Sequence, residues 1–166
     1  KLDIPPYETL WNMYKPYTNA YERIHVSSNH QRASENVASY VPLSRSYFKM
    51  WELLHDYPLA TMADGMQSVH LAEGPGGFIE ALCRYRNRRA RRRDAKCVHD
   101  RYTGITLKPH RKDVPGWNKS ARLLKAYPQI ALHYGADGTG NLYDVRNIHR
   151  LARDVGRHTS DLVTGD

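Results

Sequence analysis

From Ser44, a predicted N-cap after Pro42, the apolar residues Tyr47, Met50, Trp51 and Leu54 recur at helical spacing. The pattern stops at Asp56-Tyr57-Pro58, where the proline disfavours helix in the residue before it. A short apolar run follows, Ser68-Val69-His70-Leu71-Ala72, with the length of a buried strand. It leads directly into Glu73-Gly74-Pro75-Gly76-Gly77, after which Phe78, Ile79, Leu82 and Tyr85 resume the helical period as far as a run of arginines. Arg101 to Leu107 reads as a second strand and Ile130 to Tyr134 as a third. Residues 145–155 read as a helix with Val145, Ile148, Leu151, Ala152 and Val155 on one face and Gly156 as its stop. Asp161 to Gly165 reads as a fourth strand. Strands alternating with helices predict an α/β fold, a doubly wound parallel sheet, of which the sequence shows the first four strands before it ends.

The 166 residues suffice for one domain with a sizeable core, and 40% hydrophobic with 25% charged is ordinary for a water-soluble chain. Residues 1–40 read as an extension, partly helical, and 41–166 as the main domain. The extension sets Tyr7, Trp11, Tyr14, Tyr17 and Tyr21 among three prolines. Those rings suit packing on the main body, with stacking on nucleic-acid bases as the other use. No apolar run is long enough for a membrane span, and the N-terminus lacks a signal layout. The expectation is an intracellular protein, in cytoplasm, nucleus or virion, or one whose targeting segment was removed. Cys83 and Cys97 form neither a disulfide framework nor a zinc motif, and the nine histidines have no ligand spacing, so no metal is expected. Cys83, beside Ile79 and Leu82, reads as a small core residue.

Charge changes the picture. Lys and Arg number 25 against 17 Asp and Glu, a net +8 that favours polyanionic partners. Arg84, Arg86, Arg88, Arg89, Arg91, Arg92 and Arg93 crowd into ten residues. They read either as a solvated helix end or as a contact for an RNA backbone, and composition does not choose between these.

The turn Glu73 to Phe78 lies between a strand and a helix, where open α/β sheets bind ligands. Its glycines allow a sharp turn and close backbone approach, and the helix after it offers free N–H groups to a carboxylate. The P-loop signature is absent, and Ile79 stands where a dinucleotide fingerprint needs its third glycine. A Gly-x-Gly-Gly turn suits S-adenosylmethionine, whose tail is a small zwitterion without pyrophosphate. A glycine turn without a ligand is the other reading.

Leu71 to Glu80 (LAEGPGGFIE) resembles the methionine-end loop of FtsJ-like RNA 2′-O-methyltransferases, especially the viral and eukaryotic mRNA cap enzymes. Four further segments resemble the family in its order. Ser44-Arg45-Ser46-Tyr47-Phe48-Lys49 resembles the helix carrying the first catalytic lysine, and Gly104-Ile105-Thr106-Leu107-Lys108 the second strand. Asn141-Leu142-Tyr143-Asp144-Val145 resembles the segment whose aspartate contacts adenine, and Asp161 to Asp166 the fourth strand with its terminal catalytic aspartate.

The resemblance, running from about residue 40 to the end, implies a Rossmann-like S-adenosylmethionine methyltransferase sheet, truncated after four strands. It implies methyl transfer from S-adenosylmethionine to a ribose 2′-hydroxyl of RNA, at the mRNA cap. Lys49 and Asp166 would be the first two members of a Lys-Asp-Lys-Glu tetrad whose other members lie on later strands. Glu73, Gly74, Pro75, Gly76, Gly77, Phe78, Thr106 and Asp144 would hold the cofactor. Arg45, Arg88, Arg89, Arg91, Arg92 and Arg93 would bind RNA. Where the family often places an acidic residue for the ligand ribose, this chain reads Thr106-Leu107-Lys108. Asp144 also reads as a helix N-cap, and Asp137-Gly138 as a loop rather than a calcium site. Partners would be capped RNA, with protein partners or further domains of a larger polypeptide, and no membrane. The alternative is an inactive methyltransferase-like module that binds RNA or a protein.

Overall fold

The computed structural model describes residues 9–10, 13–14, 38, 40–60, 63–92, 99–109 and 116–165, and divides into two compact units, Lys1–Val41 and Pro42–Asp166. In the first unit residues 9–10 and 13–14 are helical; Tyr7, Trp11, Tyr17 and Tyr21 lie outside the described residues. The second unit runs α1 (Ser46–Asp56), β1 (Gln67–Leu71), α2 (Gly77–Arg91), β2 (Arg101–Ile105), a 3-10 turn (Trp117–Lys119), α3 (Ala121–Ala126), β3 (Ile130–His133), α4 (Val145–Val155) and β4 (Leu162–Gly165).

These strands form the expected parallel α/β sheet in the order β3-β2-β1-β4. Val69 and Ile105 turn to one face and pack with Leu151 of α4, with Leu71, Leu142 and Val155 closing the cluster. The opposite face carries α2, where Ile79 and the Trp117 ring fill the space beside Gly104. Each such fully buried aliphatic side chain contributes about 1.5–3 kcal/mol relative to exposure.

Helix α1 packs outside α2. Tyr47, Met50 and Leu54 are buried, and the Trp51 and His55 rings lie 6.2 and 5.1 Å from Tyr85. Leu43 N–H donates to Glu80 Oε2 at 2.8 Å, so the two helices start together and run the same way. Both starts therefore lie at the carboxyl end of the sheet, beside the glycine turn.

At the β1–β4 seam His70 is fully buried. Its ring bonds Ser68 Oγ at 2.8 Å and Thr164 Oγ1 at 2.7 Å, so the neutral imidazole finds a partner at each nitrogen. Burial holds its pKa down at about 3.

Several local expectations are corrected. Ser44 is not the N-cap of α1; Arg45 takes that position, and the Ser44 hydroxyl instead bonds that of Ser46. Strand β1 ends at Leu71 because Ala72 takes a left-handed φ of 54°. Strand β2 ends at Ile105, whose carbonyl accepts from Glu73 N–H at 3.1 Å. Asp161 precedes β4 and ties the start of β1, its Oδ2 accepting from Gln67 N–H at 2.8 Å.

The arginine run is also divided by the fold. Arg86 points into the core, with Nε and Nη2 each 2.6 Å from an oxygen of Asp100 and both side chains 0% exposed. Its Nη2 also donates to Ala63 O, and Asp100 accepts from Gly65 N–H, Met66 N–H and Tyr102 Oη–H. This network secures the amino end of the sheet, so Arg86 is not part of a basic surface. Cys83 is buried beside it, and burial pushes its thiol pKa up. Among the described residues no helix is long and apolar enough to cross a membrane, and no cluster of three or more His, Cys, Asp or Glu is arranged to hold a metal.

Candidate active site

Three loops meet at the carboxyl end of the sheet. The first is the turn after β1. Glu73 is buried, and its Oε1 accepts the Ile79 N–H at 3.0 Å while its carbonyl accepts the Gly76 N–H at 2.6 Å. A carboxylate at the start of α2 satisfies one of the helix's orphan donors and suits its dipole. The next donors, the N–H groups of Gly77 and Phe78, meet no acceptor among the described residues. Gly76 has φ +110°, a conformation that favours glycine. A Cβ on Gly77 would overlap the hydroxyls of Ser44 and Ser46, so this glycine lets α1 start against the turn.

The second loop begins at Thr106, which is buried between its neighbours. A Cβ on Gly74 would lie 2.9 Å from Thr106 Cγ2, and a Cβ on Gly140 would overlap the Thr106 carbonyl. The third loop, 134–144, is organised by Asn147 of α4, which is fully buried. Asn147 Oδ1 accepts from Ala136 N–H at 2.7 Å and Asp137 N–H at 3.1 Å, and its Nδ2 donates to Asn141 O at 3.0 Å. Lys108 N–H donates to Thr139 O at 2.6 Å and joins the second loop to the third.

Asp144 caps α4, accepting the Arg146 N–H at 2.9 Å and pairing with the Arg146 guanidinium at 2.6 Å. The guanidinium hydrogen bonds, then the backbone one, hold its pKa at about 2, so the carboxylate is ionised. The Asp137 carboxyl closes the loop on itself by accepting from Thr139 N–H and Oγ1–H, and those bonds, backbone first, lower its pKa.

The sequence of these loops matches the FtsJ-like methyltransferase family over residues 42–166. This chain belongs to that family. The chain is also 30% identical over 130 residues to a cap-specific mRNA (nucleoside-2′-O-)-methyltransferase 2 of Drosophila melanogaster. The match covers 73% of this chain and 17% of that protein, so the chain spans about a sixth of its relative's length. No solved structure matches the chain.

Within the FtsJ-like domain the fold gathers Glu73 to Phe78, Thr106 and the 134–144 loop at one end of the sheet. Lys49 is exposed, less than one turn along α1 from Ser46, which abuts Gly77. Arg45 is exposed at the same end. Asp166 and Arg93 lie outside the described residues; β4, which leads to Asp166, pairs with β1 next to the turn.

Arg88, Arg91 and Arg92 are exposed, and Arg89 lies over the Tyr85 ring at 5.5 Å. All four sit at the far end of α2, about 20 Å from the glycine turn at 1.5 Å per residue. They are not brought together with the glycine turn.

Sequence reasoning missed Asn147, Ser120 and Trp117. Asn147 had a signal, a polar residue on the stripe that continues through Leu151 and Val155. Ser120 and Trp117 had none, because residues 116–123 follow no clear period.

Proposed function

We propose that this chain supplies the S-adenosylmethionine site and the first two catalytic positions of an RNA ribose 2′-O-methyltransferase acting at the mRNA cap. The observation that carries the reading is the turn Glu73 to Phe78. Its backbone bends at a left-handed glycine, and the Gly77 and Phe78 N–H groups meet no acceptor among the described residues, an arrangement that suits a carboxylate. A methionine tail of small cross-section suits such a cradle, and a side chain at Gly76 would press on Leu123, Trp117 and Leu43 and push the turn out of shape. The relative from Drosophila is named for cap-specific mRNA 2′-O-methylation, which supports the substrate class.

When bound, S-adenosylmethionine supplies an electrophilic sulfonium methyl. The chain's own part is to hold the donor's tail at the turn, to close its nucleoside end between Thr106 and the 134–144 loop, and to orient the acceptor. Orientation for in-line attack supplies much of the rate. Lys49, one turn into α1, would accept or orient the hydroxyl proton, and Asp166 would steady that lysine. Arg45 and Lys49 give this end of the domain positive charge for RNA phosphates. Arg88 to Arg93, a helix length away, would meet only RNA that extends beyond the acceptor nucleotide.

The test uses the full-length protein, capped transcripts and a labelled methyl donor, with nucleoside analysis of the product. A 2′-O-methylated ribose next to the cap is expected. Lys49→Ala should abolish transfer while S-adenosylhomocysteine still binds, and Gly76→Leu should abolish binding in a folded protein. Methyl on a base, or full activity in Lys49→Ala, would overturn the assignment. Binding of RNA with no transfer under any condition would favour the inactive module.

A further inference from the structure

A turn with Gly74, Gly76 and Gly77 in four positions has unusual backbone freedom, since glycine populates both halves of φ space. Left alone it would sample many shapes, and a ligand would have to select one of them. Something outside the turn must hold it.

One segment, distant in sequence, touches Gly74, Pro75 and Gly76. Gly116 lies against Gly74, where a Cβ would be 3.0 Å from Gly116 Cα. Ser120, fully buried, donates from Oγ to the Pro75 carbonyl at 2.5 Å. Trp117 and Leu123 lie against Gly76, where a Cβ would be 3.2 Å from Trp117 Cζ3 and 3.1 Å from Leu123 Cδ2. The same indole fills the space over Gly104 of β2, where a Cβ would be 2.7 Å from Cη2. Its Nε1–H is buried with no hydrogen-bond partner among the described residues. The ring is kept there by packing against the turn and strand, at the expense of an unsatisfied donor.

We infer that Gly116–Leu123 is a clasp that fixes the shape of the cofactor turn, with Ser120 and Trp117 as positioning residues for binding of the methyl donor. The inference rests on the reading above that this turn holds S-adenosylmethionine. The clasp itself need not touch the ligand. It holds the turn in its binding-competent shape before the ligand arrives, so its loss lowers apparent affinity without changing the chemistry once the site is filled.

The test compares the full-length parent with Ser120→Ala, which deletes one oxygen, and Trp117→Phe, which keeps an aromatic ring and removes the unsatisfied donor. Ser68→Ala is the control, since it loses an equally buried hydroxyl bond, to His70, away from the turn. In ligand-free protein, hydrogen exchange should speed up in the peptide spanning Gly74 to Phe78 for Ser120→Ala and Trp117→Phe, but not for Ser68→Ala. The S-adenosylhomocysteine Kd should rise about fivefold in Ser120→Ala, in line with one buried hydrogen bond, and by a similar factor in Trp117→Phe, which loses the part of the indole packed on Gly76 and Gly104. At saturating donor, kcat should stay within about twofold of the parent. Unchanged exchange and Kd in folded Ser120→Ala and Trp117→Phe overturn the clasp, as does a loss confined to kcat. A parent that fails to bind S-adenosylhomocysteine overturns the site reading and the ligand role of the clasp together, while exchange still reports whether the clasp orders the turn.

Discussion

Replacing Arg86 by methionine keeps an unbranched chain but strands the Asp100 carboxylate. That carboxylate is 0% exposed and keeps its Gly65, Met66 and Tyr102 donors, yet it loses the only guanidinium paired with it among the described residues. Breaking one side of such a buried pair costs about 3–5 kcal/mol. A domain is stable by only about 5–15 kcal/mol in total, so Arg86→Met should remove a large share. In urea, with a slope of about 2 kcal/mol per molar, the midpoint should fall by roughly 2 M. Arg86→Met with Asp100→Asn removes both charges, and the amide oxygen still accepts from the backbone N–H groups. The double variant should recover part of the loss, a coupling of about 1–3 kcal/mol. Circular dichroism against urea reads all three variants. A loss under about 1 kcal/mol in Arg86→Met, or a double variant as unstable as the sum of the singles, would refute the structural role. A folded Arg86→Met with weakened RNA binding would return Arg86 to the basic surface.

His70 gives a pH dependence. Its folded pKa of about 3 lies below the ordinary 6.5, so below pH 6.5 the unfolded chain takes up a proton that the folded one refuses. Stability is full above pH 6.5 and should fall toward pH 3 by up to about 1.4 kcal/mol per pH unit from this group, a slope His70→Asn should lack in chemical unfolding between pH 4.5 and 6.5. Ala72, at φ 54°, should accept glycine with a gain of about 0.5–1 kcal/mol, because the left-handed cost to alanine exceeds the entropy cost of glycine; a loss in thermal unfolding contradicts this. Arg91→Ala, Arg92→Ala and Arg93→Ala together should flatten the salt dependence for long RNA but leave a short capped oligonucleotide unchanged, since the described end of α2 is far from the turn. Equal slopes for parent and variant on long RNA would mark the run as a solvated helix end.

Much of the fold is local enough to be legible in the sequence. Residues 145–155 form a helix with Gly156 after it, as the local pattern predicts, but the face differs: Val145, Ile148 and Ala152 are exposed, while Asn147, Leu151 and Val155 turn inward because the sheet and the third loop lie on that side. The four strands appear where short apolar runs meet turn residues, and the turn after β1 is marked by its glycines alone. The strand ends and the Ser44 cap went differently because non-local partners decided them. Glu73 reached across to Ile105, and Ser44 bonded Ser46 against Gly77.

By itself, then, the sequence determined the four strands and the three longer helices in their order, the parallel α/β sheet and the place of the glycine turn, but not the 3-10 turn and α3, since periodicity and backbone permissiveness are properties of neighbouring residues. Only the tertiary structure decided what each polar side chain is for. Seven arginines look alike in a row, but among the described ones Arg86 alone meets Asp100 in the core, while the exposed ones stand a helix length from the turn. Asn147 becomes the anchor of the third loop, and Ser120 reaches Pro75 across 45 positions of chain. Burial and partnership depend on residues far apart in sequence, and no local pattern encodes them.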